Sequence, residues 1–215
     1  MLVWQLADSA FPTGGFAHSM GLEAAWQLGE IPDAESLCRF ARASLLQAGY
    51  GALPLINAAF RTPDRLAELD ALADVFLVNA VANRASRVQG RALVATCTRI
   101  WPSPALANLD EAIRPTCAHV APTTGAVLRT MGLPLATIQT LALFVTCRAV
   151  FSAAVRLGIV GSYTAQRLQY DAGRDIDEVL ARCAHLNEEG LAQVAPIADL
   201  LQGAHDRLYS RLFQS

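Results

Sequence analysis

Lysine is missing from the 215-residue sequence: all 17 basic side chains are arginine. That absence excludes a Walker-type phosphate lysine, a Schiff-base lysine and a lysine general base, because each needs a compact ammonium or a titratable amine that a guanidinium does not supply. Charge of either sign is sparse, 17% of residues against about 25% in ordinary domains, and the net charge is −2 with no acidic or basic tail. Bulk electrostatics therefore draw the chain to neither nucleic acid nor an anionic membrane, and neither is expected as a partner. The cysteines, Cys38, Cys97, Cys117, Cys147 and Cys183, are odd in number and never spaced C-x-x-C. Neither a disulfide framework nor a structural zinc site is indicated, and free thiols in a reducing cytoplasm are expected. The N-terminus has no basic stretch followed by an apolar run, so no signal peptide is expected and a cytoplasmic location is.

Apolar side chains are abundant: they make up 53% of the chain, where about 45–50% is usual. Such an excess implies a large core or apolar surface that a partner covers. Residues 133–157, LPLATIQTLALFVTCRAVFSAAVRL, are long enough to span a bilayer, but Gln139, Arg148 and Arg156 interrupt them. An arginine in mid-membrane costs at least ~2.5 kcal/mol, so the stretch reads as a buried central helix.

Alanine, leucine, arginine and glutamine dominate the rest, apolar residues recur at three and four, and strand-like alternation is scarce. Pro32-Asp33 predicts a helix start, with the helix running to about Gln47 and stopped by Gly49 and Gly51. Thr62-Pro63-Asp64 predicts a capped start, a break near 71–74, and a long helix ending before Pro102. The WPSPAL loop and Arg114-Pro115 bracket a short helix, Pro122 starts another ending at Gly132, and Pro134 starts the central one. Helices are then expected over about 162–185 and from Glu188 to the tail, with Pro196 bending the second. The fold class expected is all-α: a single globular domain, 1–215, of roughly eight to ten helices around a buried central helix.

The densest chemistry lies in residues 7–26, ADSAFPTGGFAHSMGLEAAW. Gly14 and Gly15 precede a helix expected from near Phe16, yet no G-x-x-x-x-G-K-[ST] motif surrounds them, which argues against a phosphate cradle. Asp8, Ser9, His18 and Ser19 are hydrolase residue types, but adjacent positions such as His18 and Ser19 point to different sides of a helix and no strand-turn-helix elbow surrounds a serine. A turn-and-helix scaffold explains the stretch better: Pro12-Thr13-Gly14-Gly15 turns, Asp8 and Ser9 cap the turn, and Phe16, Met20 and Ala24 follow on one helical line.

The run of residues LADSAFPTGGFAHSMGLEAA closely resembles the opening signature of the urease accessory protein F (UreF) family. Two further stretches are similar to the same family in the same order: HVAPTTGAVLRTMGL with AVRLGIVGSYTAQRL, and the ending HDRLYSRLFQS. The resemblance implies a non-catalytic, all-α chaperone that dimerises, binds the UreD/UreH-type accessory protein and recruits the UreG-type GTPase, with modulation of GTP hydrolysis as a further expectation. The assembly would dock on apo-urease for nickel insertion. No permanently bound cofactor is implied, and nickel would be cargo in transit. The alternatives are a non-catalytic helical regulator unrelated to urease and a hydrolase built on Ser9 or Ser19 with His18.

On this resemblance the structural motif comprises Asp8, Ser9, Phe11, Pro12, Gly14, Gly15, His18, Ser19 and Glu23, and the partner-binding residues are Tyr209, Arg211, Leu212 and Phe213. In the tail Phe213 would be an apolar anchor and Arg211 a charge-assisted donor for the partner; the other reading is a final helical turn folded on the protein's own core. No resident metal is expected. Cys117 and His119, a C-x-H pair, are only weak candidates, since two ligands on a short stretch are also common without a metal.

Overall fold

The computed structural model describes residues 1–214, and among them no strand occurs. Twelve α-helical segments follow one another: α1 Leu2–Leu6, α2 Leu22–Gln27, α3 Ala34–Gly51, α4 Leu53–Arg61, α5 Leu66–Phe76, α6 Ala80–Ile100, α7 Pro104–Ile113, α8 Val120–Thr130, α9 Leu135–Arg156, α10 Ser162–Asp171, α11 Gly173–Cys183 and α12 Pro196–Gly203. Short 3₁₀ turns lie at Gly15–Ala17, Pro63–Arg65, Glu188–Gly190 and Ala204–Arg207. The all-α expectation is met, with more segments than anticipated because α1 and α4 fall outside the expected helices and the helix expected over 162–185 is two.

Local chemistry fixes several helix starts. Asp33 Oδ1 accepts the Ser36 N–H at 2.8 Å while Ser36 Oγ accepts the Asp33 N–H at 3.2 Å, a reciprocal capping box that opens α3. Asn79 Oδ1 accepts the Val81 and Ala82 amides at the start of α6, and Ser103 Oγ accepts the Leu106 amide just before Pro104 opens α7. Each cap satisfies backbone donors that the helix leaves without partners and contributes on the order of 1 kcal/mol.

The core is one cluster that α9 threads, with α3, α4, α8, α10 and α11 packed around it. By length and composition α9 could cross a membrane, but about half of its apolar window is buried inside the protein. Its polar Gln139 is also buried, and donates to Asn57 Oδ1 at 2.7 Å and to the Ala184 carbonyl at 2.8 Å. Asn57 in turn donates to Leu186 O at 2.8 Å. The two amides thus satisfy carbonyls just beyond α11, which would otherwise be costly to bury.

Several boundaries differ from the sequence expectation. Gly49 and Gly51 lie inside α3. At Gly49 a Cβ would come within 2.4 Å of Val179 Cγ1 and 3.1 Å of Cys183 Sγ, so this glycine lets α3 and α11 approach closely and does not stop the helix. The expected break at 71–74 is absent, and α5 ends at Phe76, where Asn83 Nδ2 donates to Leu77 O at 3.2 Å. Thr62 caps nothing with its side chain; its hydroxyl donates back to Ala58 O at 2.8 Å. Pro196 opens α12 where a bend was expected, and the 162–185 helix divides at Ala172.

Candidate functional site

The opening motif does not continue as a helix from Phe16. After the 3₁₀ turn the chain extends at His18, turns through Met20 and Gly21 with φ of 56° and 86°, and only then enters α2. Asp8 Oδ1 accepts the Ala10 N–H at 2.9 Å, while Gly14 takes φ 76° in the turn. Phe11 stacks on Trp101 with centroids 5.9 Å apart, and Thr96 donates to Pro12 O at 2.9 Å, so this loop is pinned to α6. Ser9, Pro12 and Gly14 are exposed, Gly15 is half-buried, and His18, Ser19 and Glu23 are buried.

Glu23 is 1% exposed, and its carboxylate is the joint of the site. Oε1 accepts the Leu212 amide at 2.6 Å, Oε2 accepts the Phe213 amide at 3.1 Å, and Oε2 lies 3.2 Å from His205 Nε2. Around this clamp Gln27 donates to Ser210 O at 3.0 Å, and the Gln214 amide donates to Ala17 O at 2.8 Å. Ser19 Oγ accepts the Glu23 N–H at 3.4 Å from the same buried layer. Residues 17–27 and 205–214, far apart in sequence, therefore form one continuous surface. The two histidines of this layer lie close enough that His205, together with burial as the larger cause, holds the His18 pKa below its ordinary 6.5.

Arg156, the last residue of α9, binds both pieces. Its guanidinium carbon lies 3.9 Å from the Phe16 ring centroid and 4.1 Å from that of Phe213, and Nη1 donates to Phe16 O. A cation held between two ring faces is attracted by both quadrupoles, by about 0.5–2 kcal/mol each. Arg148, eight residues earlier on α9, donates to Ala7 O. The arginines that interrupt the apolar run thus anchor the motif from inside. Beneath the surface lies an apolar cavity of about 410 Å³ lined by Leu6, Phe11, Met20, Leu141 and Phe213 among others.

The tail corrects one expectation. Phe213 is 5% exposed and packs on the protein's own core, so it is not an anchor held out to solvent. Its burial follows from the Glu23 clamp, which has no local sequence signal because the two partners lie 190 residues apart. Arg211, Leu212 and Tyr209 are exposed, Tyr209 completely. Arg211 reaches Asp206 at 3.7 Å, and Asp206 also takes both oxygens to Arg84 at 2.8 Å. Phe16, Trp26 and Leu28 join them as large apolar groups open to solvent on the motif side. The arrangement thus presents aromatic, aliphatic and arginine side chains to solvent along the joined segments. Ser19, one of the serines a hydrolase reading would need, is wholly buried.

Cys117 and His119 lie in the turn between α7 and α8, and His119 also lines the apolar cavity. Their side chains meet Asp74 of α5, and these three could hold a metal ion. The third member escaped sequence reading because it lies 45 residues from His119.

The UreF family model matches residues 31–173, a span that begins after the opening motif. Curated relatives cover nearly the whole chain. It is 36% identical to urease accessory protein F of Oryza sativa subsp. indica over 98% of this chain and 83% of the rice protein. It is 37% identical to urease accessory protein F of Arabidopsis thaliana over 99% of this chain and 91% of that one. A bacterial relative, urease accessory protein UreF of Arthrobacter sp. (strain FB24), is 30% identical over 98% of this chain and 95% of its own length.

Proposed function

Because the chain belongs to the urease accessory protein F family, we propose that it acts in urease maturation as a non-catalytic scaffold. Its partner surface is the rim formed where residues 16–28 meet residues 205–214. The observation that carries this reading is the Glu23 clamp, which fixes Tyr209 and Leu212 in the open beside Phe16 and Trp26 on a preorganised backbone. Preorganisation matters because ordering a loose tail on binding would consume part of the interaction energy. Aromatic and arginine side chains at the centre of a patch are the residue types that dominate binding energy at protein interfaces.

The partners this reading names are the UreD/UreH-type accessory protein, the UreG-type GTPase recruited through it, and apo-urease, with a homodimer of this chain at the centre and the cytoplasm as the location. Nickel is the cargo of that assembly. The scaffold's contribution is to make the transfer effectively intramolecular, by raising the local concentration of one partner at another, and tuning of GTP hydrolysis would act through the same contacts. The test is co-expression with the UreD-type and UreG-type proteins of the same source, followed by size-exclusion chromatography with light scattering. A stable complex is expected, and Tyr209→Ala with Leu212→Asp should weaken it at least tenfold while leaving the circular dichroism unchanged. Failure of the wild-type chain to associate with well-folded partners would refute the scaffold reading, whereas association unaffected by the two substitutions would refute the surface.

A further inference from the structure

We infer that Asp74, Cys117 and His119 form a binding site for one divalent first-row transition ion of the zinc, cobalt and nickel class. The inference rests on the geometry of these residues and stands apart from the maturation reading. An Asp74 carboxylate oxygen, Cys117 Sγ and a His119 ring nitrogen lie within 4.8 Å of one another. Ligand atoms around such an ion sit about 3–4 Å apart, so the set closes with a shift of about 1 Å.

The turn that carries two of the ligands is held in place before any ion arrives. Asp70, one helical turn ahead of Asp74 on α5, accepts the backbone amides of Cys117 at 2.7 Å, Ala118 at 3.2 Å and His119 at 2.6 Å. Ala118, between the two ligands, has φ 60°, a left-handed conformation that costs a residue with a Cβ about 1 kcal/mol or more. From the other side Gly90 of α6 presses against the turn: a Cβ there would lie 1.9 Å from Ala118 O. A strained turn, fixed by one carboxylate and backed by a close helix, is the kind of preorganised backbone that ligand sites use.

The His119 ring is fully buried and oriented at both nitrogens. Nδ1 lies 3.0 Å from Ser86 Oγ, and Nε2 lies 3.0 Å from Asp74 Oδ1. In the metal-free chain Nε2–H donates to the Asp74 carboxylate; an ion taking that place shifts the imidazole proton to Nδ1, which then donates to Ser86 Oγ, the arrangement by which an outer hydroxyl orients a ligating imidazole. Asp74 is the open side of the site, its side chain 42% exposed. Asn83 Nδ2 donates to Asp74 Oδ1 at 3.0 Å and orients the carboxylate from α6. A thiolate, an imidazole and a carboxylate together select borderline transition ions over magnesium or calcium, and three protein ligands leave a fourth position for water. Binding releases the Cys117 thiol proton to solvent and leaves the imidazole proton on Nδ1.

The experiment is a cobalt(II) titration of the metal-free, full-length chain in a non-coordinating phosphine reductant. The expected result is a thiolate-to-cobalt charge-transfer band that saturates at one equivalent and is erased by zinc. Cys117→Ser should abolish the band, Cys38→Ser should leave it, and Asp74→Asn should weaken cobalt binding about tenfold or more. Cys117→Ser carries the test because replacing the buried His119 could itself unfold the turn. Absence of the band in the wild-type chain at millimolar cobalt would overturn the inference, as would a band that survives Cys117→Ser. An Asp74→Asn affinity equal to wild type would remove Asp74 from the site and overturn the three-ligand assignment.

Discussion

Glu23→Gln removes one charge from the carboxylate that joins the two ends of the chain and changes almost no volume. In the native protein its two oxygens receive the Leu212 and Phe213 amides, with His205 Nε2 beside them. A hydrogen bond to a charged group contributes about 1.5–3 kcal/mol and a neutral one about 0.5–1.5 kcal/mol. Glutamine keeps one acceptor oxygen and turns an NH₂ group toward the other site. One amide bond falls from charged to neutral strength and the other becomes donor facing donor, a loss of about 2–4 kcal/mol. Burying the Phe213 side chain stabilises the docked tail by a comparable amount, about 1.5–3 kcal/mol. The tail is therefore expected to detach before the rest of the fold yields. Hydrogen exchange at the 212 and 213 amides, read beside urea unfolding, separates these events: protection at the tail should vanish while the α9 amides stay protected. Retained tail protection with an unfolding free energy changed by less than about 0.5 kcal/mol, the scatter of neutral substitutions, would refute the clamp.

Acid should weaken the same region. Burial, and secondarily His205, hold the His18 pKa below 6.5 in the folded state. The unfolded chain therefore takes up a proton that the native chain resists, so stability is full above about pH 6.5 and falls below it by up to about 1.4 kcal/mol per pH unit until the folded pKa is reached; a flat urea midpoint between about pH 7.5 and 5.5 would contradict this. Gly90→Ala places a methyl 1.9 Å from Ala118 O and should cost at least about 2 kcal/mol in thermal or urea unfolding, the range of overpacked cores. Burial pushes the thiols of Cys97 to about 12 and Cys147 to about 11. Ellman's reagent should therefore label the half-buried Cys38 and Cys117 in the native protein and leave Cys97 and Cys147 until denaturant is added.

Proline punctuation made α7, α8 and α9 legible to within about two residues, because the fixed φ and missing N–H of a proline constrain the residues beside it. Gly49 misled for the opposite reason: its role is set by Val179 and Cys183 on another helix, and no neighbour in sequence reports that contact. The break assigned to 71–74 fell instead after Phe76, where the Asn79 cap and Asn83 hydrogen bonds were the readable cues for the next helix. At the candidate surface the motif stood out through its resemblance to the family's opening signature, whereas residue types alone suggested a helix from Phe16 that begins only at Leu22. The partners of its one buried carboxylate were not legible, since Leu212 lies 189 residues away. The same limit hid Asp74 from Cys117 and His119.

The Glu23 clamp also sets a temporal order on the protein's usefulness. Chains emerge from the ribosome N-terminus first, so residues 17–27 appear early and wait, with a carboxylate that has no amides to receive, until Leu212 and Phe213 follow. A chain lacking those residues cannot display the joined rim. A partner that reads that rim is thereby reading whether two segments about 190 residues apart have come together, and it would pass over copies in which they have not.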